Sequence, residues 1–145
     1  MQPKAENFTI KSWTSIVEAK AFAQKIFHQK IETEHLFHVL LDEDDLVIQV
    51  LNKAGISRAN LEKNLDNFIK KQPRLNKQSE STYLGNSLTE LINDADKTKS
   101  SFGDMFISTD HLLIGLSKDN RCGQELFRRD GIDEKKILSV VKELR

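Results

Sequence analysis

Thr33-Glu34-His35-Leu36 and Thr109-Asp110-His111-Leu112 are one four-residue phrase written twice, 76 positions apart. Laying the chain on itself at that shift, without a gap, places Ile16 on Ile92, Ala19 on Ala95 and Ile31 on Ile107. Leu40 then meets Leu116, and Gly55-Ile56 meets Gly131-Ile132. A gapless match along most of each half of a 145-residue chain indicates duplication. Fixed-period self-similarity is the sequence mark of a repeat architecture, in which neighbouring units bury a shared core.

Each copy carries the same helix punctuation. In the first, Trp13, Ile16, Val17, Ala23, Ile26 and Phe27 predict one face of a helix. Phe22 falls on the far side of that helix and is expected to form a second contact face. Thr33 is expected to cap a short second helix with inward Leu36, Val39 and Leu40, and Glu34 opposes the positive end of its dipole. Leu46 to Asn52 predicts a third helix that Gly55 closes in the left-handed conformation. Ser57 caps a fourth, striped by Leu61, Leu65, Phe68 and Ile69. The second copy repeats the series: Leu88, Leu91, Ile92 and Ala95, then a Thr109 cap before Leu112, Leu113 and Leu116. Leu126 and Phe127 belong to its third helix, ended by Gly131, and Asp133 caps the last, lined by Ile137, Val140, Val141 and Leu144. Gln72 to Thr82 is polar, holds Pro73 and has no period, which predicts a linker. The expected fold is all-α: a single domain over 1–145, two tandem pseudo-symmetric four-helix repeats, eight helices in all. Repeat 1 covers about 8–71, the linker about 72–82 and repeat 2 about 83–145, with essentially no sheet.

Charge narrows the function. Lys+Arg and Asp+Glu are both 22. The chain therefore lacks the basic excess that phosphate contacts demand, and no nucleic-acid partner is expected. Lys70-Lys71-Gln72-Pro73-Arg74, the longest basic stretch, reads as a helix end and loop. No apolar run approaches the roughly 18–20 residues that span a bilayer, so no membrane partner is expected. The segment Met1-Gln2-Pro3-Lys4-Ala5-Glu6 lacks the apolar core of a signal peptide. Cys122 is the only cysteine, which fits a reducing, cytoplasmic compartment.

The six glycines are scattered and no phosphate-cradling GxxxxGK[ST] occurs, so no ATP site and no catalytic constellation is expected in this chain. His35 and His38 stand at i and i+3 without a third ligand at metal spacing, and a structural role is expected for the histidines, with no metal. Asp42-Glu43-Asp44-Asp45 lacks the alternation and central glycine of a calcium loop and reads as a solvated turn. Glu34 and Asp110 occupy the same repeat position. Each either stabilises its helix dipole or forms one of a pair of anionic sites for a basic group on a partner.

Phe8-Thr9 before the first helix, the two Thr-acid-His-Leu phrases and the two Gly-Ile pairs resemble the double Clp-N repeat. That repeat is the N-terminal domain of the Clp family of AAA+ unfoldases and disaggregases. The resemblance covers Phe8 to Arg145. Lys71-Gln72-Pro73 and Phe102-Gly103-Asp104-Met105-Phe106-Ile107-Ser108 are similar to the ClpB branch. The resemblance implies a domain tethered above a hexameric AAA+ ring of its own chain. It would capture unfolded or aggregated polypeptide and pass it to the pore, alongside a DnaK-type chaperone. ATP and magnesium are then expected only in the AAA+ modules of the parent protein. ClpB relatives line a substrate groove with a threonine and two acids, and these positions fall on Thr9, Asp104 and Asp110, the last with a shorter arm than the usual Glu. Phe8 and Phe106 are expected to supply the apolar part. In ClpC relatives the paired acids read phosphorylated arginine, and these fall on Glu34 and Asp110. Two other readings share the fold: a stand-alone Clp-N-like accessory protein, and an adaptor-docking module of the ClpA or ClpC kind.

Overall fold

The computed structural model describes residues 2–145, except for the side chain of Glu43. Met1, the start of the segment read against a signal peptide, lies outside the described residues. A 3-10 turn (Ala5–Asn7) leads into α1 (Ile10–Lys25), α2 (Thr33–Glu43), α3 (Asp45–Ala54) and α4 (Arg58–Lys70). The second series is α5 (Asn86–Ser101), α6 (Thr109–Lys118), α7 (Gly123–Arg129) and α8 (Glu134–Glu143). The bounds of α5 are those of α1 displaced by the 76-residue shift, so the duplication holds in space as well as in sequence.

The second helix of each repeat is central. From Thr33 to Leu41 only His38 is exposed, and α6 is buried from Thr109 to Ser117. A helix apolar on every side must be enclosed, and the other helices surround this pair. α1 packs on α2 and α5 on α6, while α2 meets α6 and α7, and α3 meets α8. Phe37 of α2 and Phe127 of α7 touch across the repeats, ring centroids 5.4 Å apart. The buried apolar residues form one cluster, so neither repeat keeps a core of its own.

Several expectations change. The caps of α2 and α6 are Glu32 and Ser108, one residue before the threonines. The histidine three positions on decides this, because His35 Nδ1 accepts the Glu32 N–H at 2.8 Å and His111 Nδ1 accepts the Ser108 N–H at 2.9 Å. Thr33 is thereby free to donate to Asp119 Oδ2 of repeat 2 at 2.8 Å. Val17 is half exposed rather than on the buried face. Phe22 does contact a neighbouring helix, stacking on His38 of α2 with centroids 3.9 Å apart. Asp44 is not part of a solvated turn: it is buried and accepts the Val47 N–H at 2.9 Å as the cap of α3. Gly55 closes α3 at φ 78°, and Ser57 and Asp133 cap α4 and α8.

Two short strands, β1 (Lys30–Ile31) and β2 (Tyr83–Leu84), also form, paired in parallel. Phe8 and Ile107 make a single bridge of the same sense. The two pairings are images of one another at the 76-residue shift. The N–H of Gly85 donates to Ile31 O, and that of Thr9 donates to Ile107 O, both at 2.9 Å. In each case the segment entering the first helix of one repeat is sewn to the segment entering the second helix of the other. Runs of two residues are too short to show an alternating pattern, which is why the sequence did not announce them.

The first helix of each repeat ends through a left-handed residue. In α5 it is Gly103, at φ 73°; in α1 the equivalent residue is Phe27, at φ 65°. A Cβ at Gly103 would meet nothing within 4 Å, so the conformation alone opposes a side chain there. Gly103→Ala is expected to cost about 1 kcal/mol, read as a lower urea midpoint at unchanged m-value. An unchanged midpoint would contradict this.

Candidate functional site

The segment between α5 and α6 is held at both ends. Gly103 closes α5, the Asp104 N–H donating to Lys99 O at 3.0 Å, and the Ile107 N–H donates to Asn7 O at 2.9 Å. Between these anchors the chain presents Asp104, Met105 and Phe106, with Met105 81% and Phe106 45% exposed. Across the bridge, Ile10 at the start of α1 is 89% exposed. Phe8, expected on this surface, is 6% exposed and packs on Trp13 in the core, so it supports the surface from beneath. Parallel pairing with Ile107 turns it inward. Thr9 caps α1: its hydroxyl accepts the Ser12 N–H at 3.1 Å and donates to Ser12 Oγ at 2.9 Å. Its N–H ties it to Ile107, next to Phe106.

Asp110 and His111 enter the core at the first turn of α6, and buried polar groups need partners. The His111 N–H and Ser108 Oγ both donate to Asp110 Oδ1. Because His111 Nδ1 is an acceptor, its proton sits on Nε2, 2.8 Å from Asp104 Oδ2. Arg145, following α8, then closes the corner. Its Nη2 lies 2.6 Å from Asp104 Oδ2 and 3.0 Å from Asp110 Oδ2, and its guanidinium carbon lies 4.5 Å from the centre of the Phe102 ring. The Arg145 hydrogen bond, and secondarily that of His111, holds Asp104 below the usual carboxylate range against the opposing effect of burial.

The equivalent corner of repeat 1 has different chemistry. His28 stands at the position of Asp104, and His35 Nε2 donates to its Nδ1 at 2.8 Å. Burial first, then His28 and Arg121, pushes His35 down to about 3; burial, then Arg74 and Arg121, lowers His28. The histidine pair is neutral, whereas its counterpart in repeat 2 pairs His111 with the Asp104 carboxylate. Glu34 is fully buried and takes a two-pronged grip from Arg121 of repeat 2, Nε to Oε1 at 2.8 Å and Nη2 to Oε2 at 3.0 Å. Arg121 also bonds Gln72 Oε1 at 3.2 Å and lies over the Phe68 ring.

Asp104 and Asp110 therefore share one guanidinium, Phe106 and Thr9 adjoin them along one loop and bridge, and Glu34 belongs to the other corner. The sequence flagged both acids but neither arginine. Arg121 and Arg145 occupy non-equivalent positions in the two copies, so the repeat gave no signal for them. The buried Cys122 thiol is pushed up, chiefly by burial and then by Asp119 and Glu34, and is not poised as a nucleophile.

Two entwined four-helix repeats, each with an acid–histidine corner at its buried second helix, define a duplicated helical repeat domain. The chain belongs to the Clp repeat (R) N-terminal domain family, which matches residues 7–142. It is 41% identical over 145 residues to the chaperone protein ClpB of Prochlorococcus marinus, and 40% identical over 146 aligned positions to chaperone protein ClpB 1 of Synechococcus elongatus. It spans all of this chain but only 17% of each of those relatives. The N-terminal domain of Hsp104 from Candida albicans has the same fold, with TM-score 0.85 at 19% identity, over 96% of this chain and 91% of that one.

Arg121→Ala strands a buried carboxylate and is expected to cost about 3 kcal/mol or more, largely recovered by adding Glu34→Gln. Equal stability of the single and double variants would contradict this. The histidine pair gives a pH signature. An unfolded histidine titrates near 6.5, so from there down to about 3 the unfolded chain takes up a proton that folded His35 refuses. Stability is expected to fall with pH across that window by up to about 1.4 kcal/mol per unit for this group, and His28 and Asp104 act in the same direction. In the folded protein the His35 ring resonances are expected not to titrate between pH 8 and 5. A midpoint near 6.5 would contradict the assignment.

Proposed function

We propose that this chain is the substrate-recognition domain of a ClpB-type, ATP-dependent disaggregase, binding unfolded or aggregated polypeptide and passing it to an AAA+ ring. The observation that carries the reading is the exposed apolar ledge of Ile10, Met105 and Phe106 beside Thr9 and the Asp104–Asp110 corner. Large apolar side chains left exposed on the segments either side of the Phe8–Ile107 bridge are costly to hydrate and mark an interaction surface. A shallow ledge with a lightly charged border suits a binder that accepts many sequences weakly and releases them. Identity of about 40% along the whole of this chain to the 17% of ClpB chaperones that it spans supports placing the domain in such a protein. In that setting the partners are non-native polypeptide, a hexameric ring formed by the parent chain and a DnaK-type chaperone, in the cytoplasm. ATP and magnesium belong to the AAA+ modules of the parent, and this domain contributes capture. Among the described residues no helix is long and apolar enough to cross a membrane.

Titrating a permanently unfolded model polypeptide into the labelled domain is expected to shift amides at Thr9, Ile10, Asp104, Met105, Phe106 and Asp110. Met105→Ser combined with Phe106→Ser is expected to weaken binding about tenfold, corresponding to loss of about 1.4 kcal/mol of apolar burial. Shifts confined to another face, or full affinity in the double variant, would overturn the reading.

A further inference from the structure

The two bridges that join the repeats are built alike but equipped differently. At one, Ile31 O accepts the Gly85 N–H; at the other, Ile107 O accepts the Thr9 N–H, both at 2.9 Å. The second bridge has a further donor. Ser12, 0% exposed in the first turn of α1, brings its hydroxyl to 2.6 Å from the same Ile107 carbonyl, closer than Thr9 O at 3.2 Å. The Thr9 hydroxyl in turn donates to Ser12 Oγ at 2.9 Å. Thr9, Ser12 and Ile107 thus form a chain of hydrogen bonds in which each polarises the next. At the 76-residue shift the two hydroxyls fall on Gly85 and Leu88, and neither residue has one.

Packing does not account for Ser12. Leu88 is fully buried at the equivalent place, so a serine there forfeits apolar burial and encloses a hydroxyl whose desolvation only its hydrogen bonds offset. What accompanies the serine is the ledge. Ile10, Met105 and Phe106 are exposed around the bridge that has it. Their equivalents around the other bridge are Asn86, Gln29 and Lys30, all polar. The Ile107 N–H also donates to Asn7 O at 2.9 Å. With its N–H and its carbonyl both tied to the segment entering α1, Ile107 holds the adjoining Phe106 and Met105 in a fixed relation to Ile10.

We propose that Ser12 is a positioning residue for polypeptide capture. It is buried and touches no ligand; it holds the Met105–Phe106 segment against the start of α1, so that three exposed apolar side chains stand assembled as one surface. The inference rests on the reading of this ledge as the capture surface and adds the residue that keeps it organised. Without the hydroxyl, the Ile107 carbonyl retains the Thr9 N–H, and the segment samples conformations in which Phe106 and Ile10 no longer share a face. A ligand must then order the segment as it binds, and apparent affinity falls with the fraction of time the surface is assembled.

The test compares the 145-residue chain with its Ser12→Ala variant by NMR, the polypeptide being a reduced, carboxymethylated globular protein that cannot refold. Ser12→Ala is expected to keep the helical circular-dichroism spectrum and to weaken binding about fivefold, the loss that follows when the surface is assembled about a fifth of the time. Microsecond-to-millisecond relaxation dispersion should appear at the Met105, Phe106 and Ile107 amides. Ser12→Cys, close in shape but a weaker donor, should lie between the two and serves if Ser12→Ala does not fold. Leu88→Val truncates the equivalent core position at the other bridge and is the control. It should lower the urea midpoint and leave the affinity and those amides unchanged. Equal affinity of wild type and Ser12→Ala, or unaltered relaxation at Phe106, would overturn the proposal. So would an equal loss of affinity in Leu88→Val, because the serine would then contribute to stability alone. The two readings fail separately. If wild type does not bind, or binds with shifts on another face, the capture reading falls and takes the role of Ser12 with it. If wild type binds at the ledge and Ser12→Ala binds equally well, capture stands and the positioning role falls.

Discussion

Burying the first turn of α2 and of α6 is the constraint on which the rest of the structure depends. Each turn carries into the core an acid and a histidine that cannot be left unpaired. The histidine pays part of its own cost by capping the helix through Nδ1, which fixes its proton on Nε2 and obliges the residue seven positions earlier to accept. The acid calls for a cation, and the two repeats recruit it from different places. From this follow the cap positions, the His28 and Asp104 contacts, the path of the α6–α7 turn and the docking of α8.

Duplication alone would give two equivalent corners. A single change, His28 against Asp104, puts a neutral histidine pair in one corner and a histidine–carboxylate pair in the other. The neutral pair is buried against the linker: the Leu75 N–H donates to Phe27 O at 2.7 Å, and Arg74 lies over the Phe27 ring. The histidine–carboxylate corner opens beside the ledge of Ile10, Met105 and Phe106. One copy has become a strut that clamps the repeats together, and the other has kept its charge near the surface.

The helices were legible because apolar spacing and cap residues are local, and the gapless 76-residue match made each copy a check on the other. Where the structure differs from the sequence, long-range geometry intervenes. Thr33 looks like a cap, but His35 moves the cap to Glu32. Phe8 looks like a surface aromatic, but bridging to Ile107 turns it inward. Asp44 reads as part of a solvated acidic turn, yet α3 needs it as a buried cap. Asp104 and Asp110 were legible as site residues from resemblance, whereas Arg121 and Arg145 were not, because their roles depend on which loop passes over which corner.

The central claim is that Arg121 clamps the fully buried Glu34 across the two repeats, whereas Arg145 joins Asp104 and Asp110 within repeat 2 at the surface. Hydrogen exchange at the two guanidinium Nε–H groups, followed in one sample of the unmodified chain, tests it most directly. Arg121 Nε–H should exchange slowly, because it is bonded to the fully buried Glu34 carboxylate. Arg145 Nε–H should exchange orders of magnitude faster, while the amides of α6 remain protected. Equal protection of the two, or loss of α6 protection whenever Arg145 exchanges, would contradict the account.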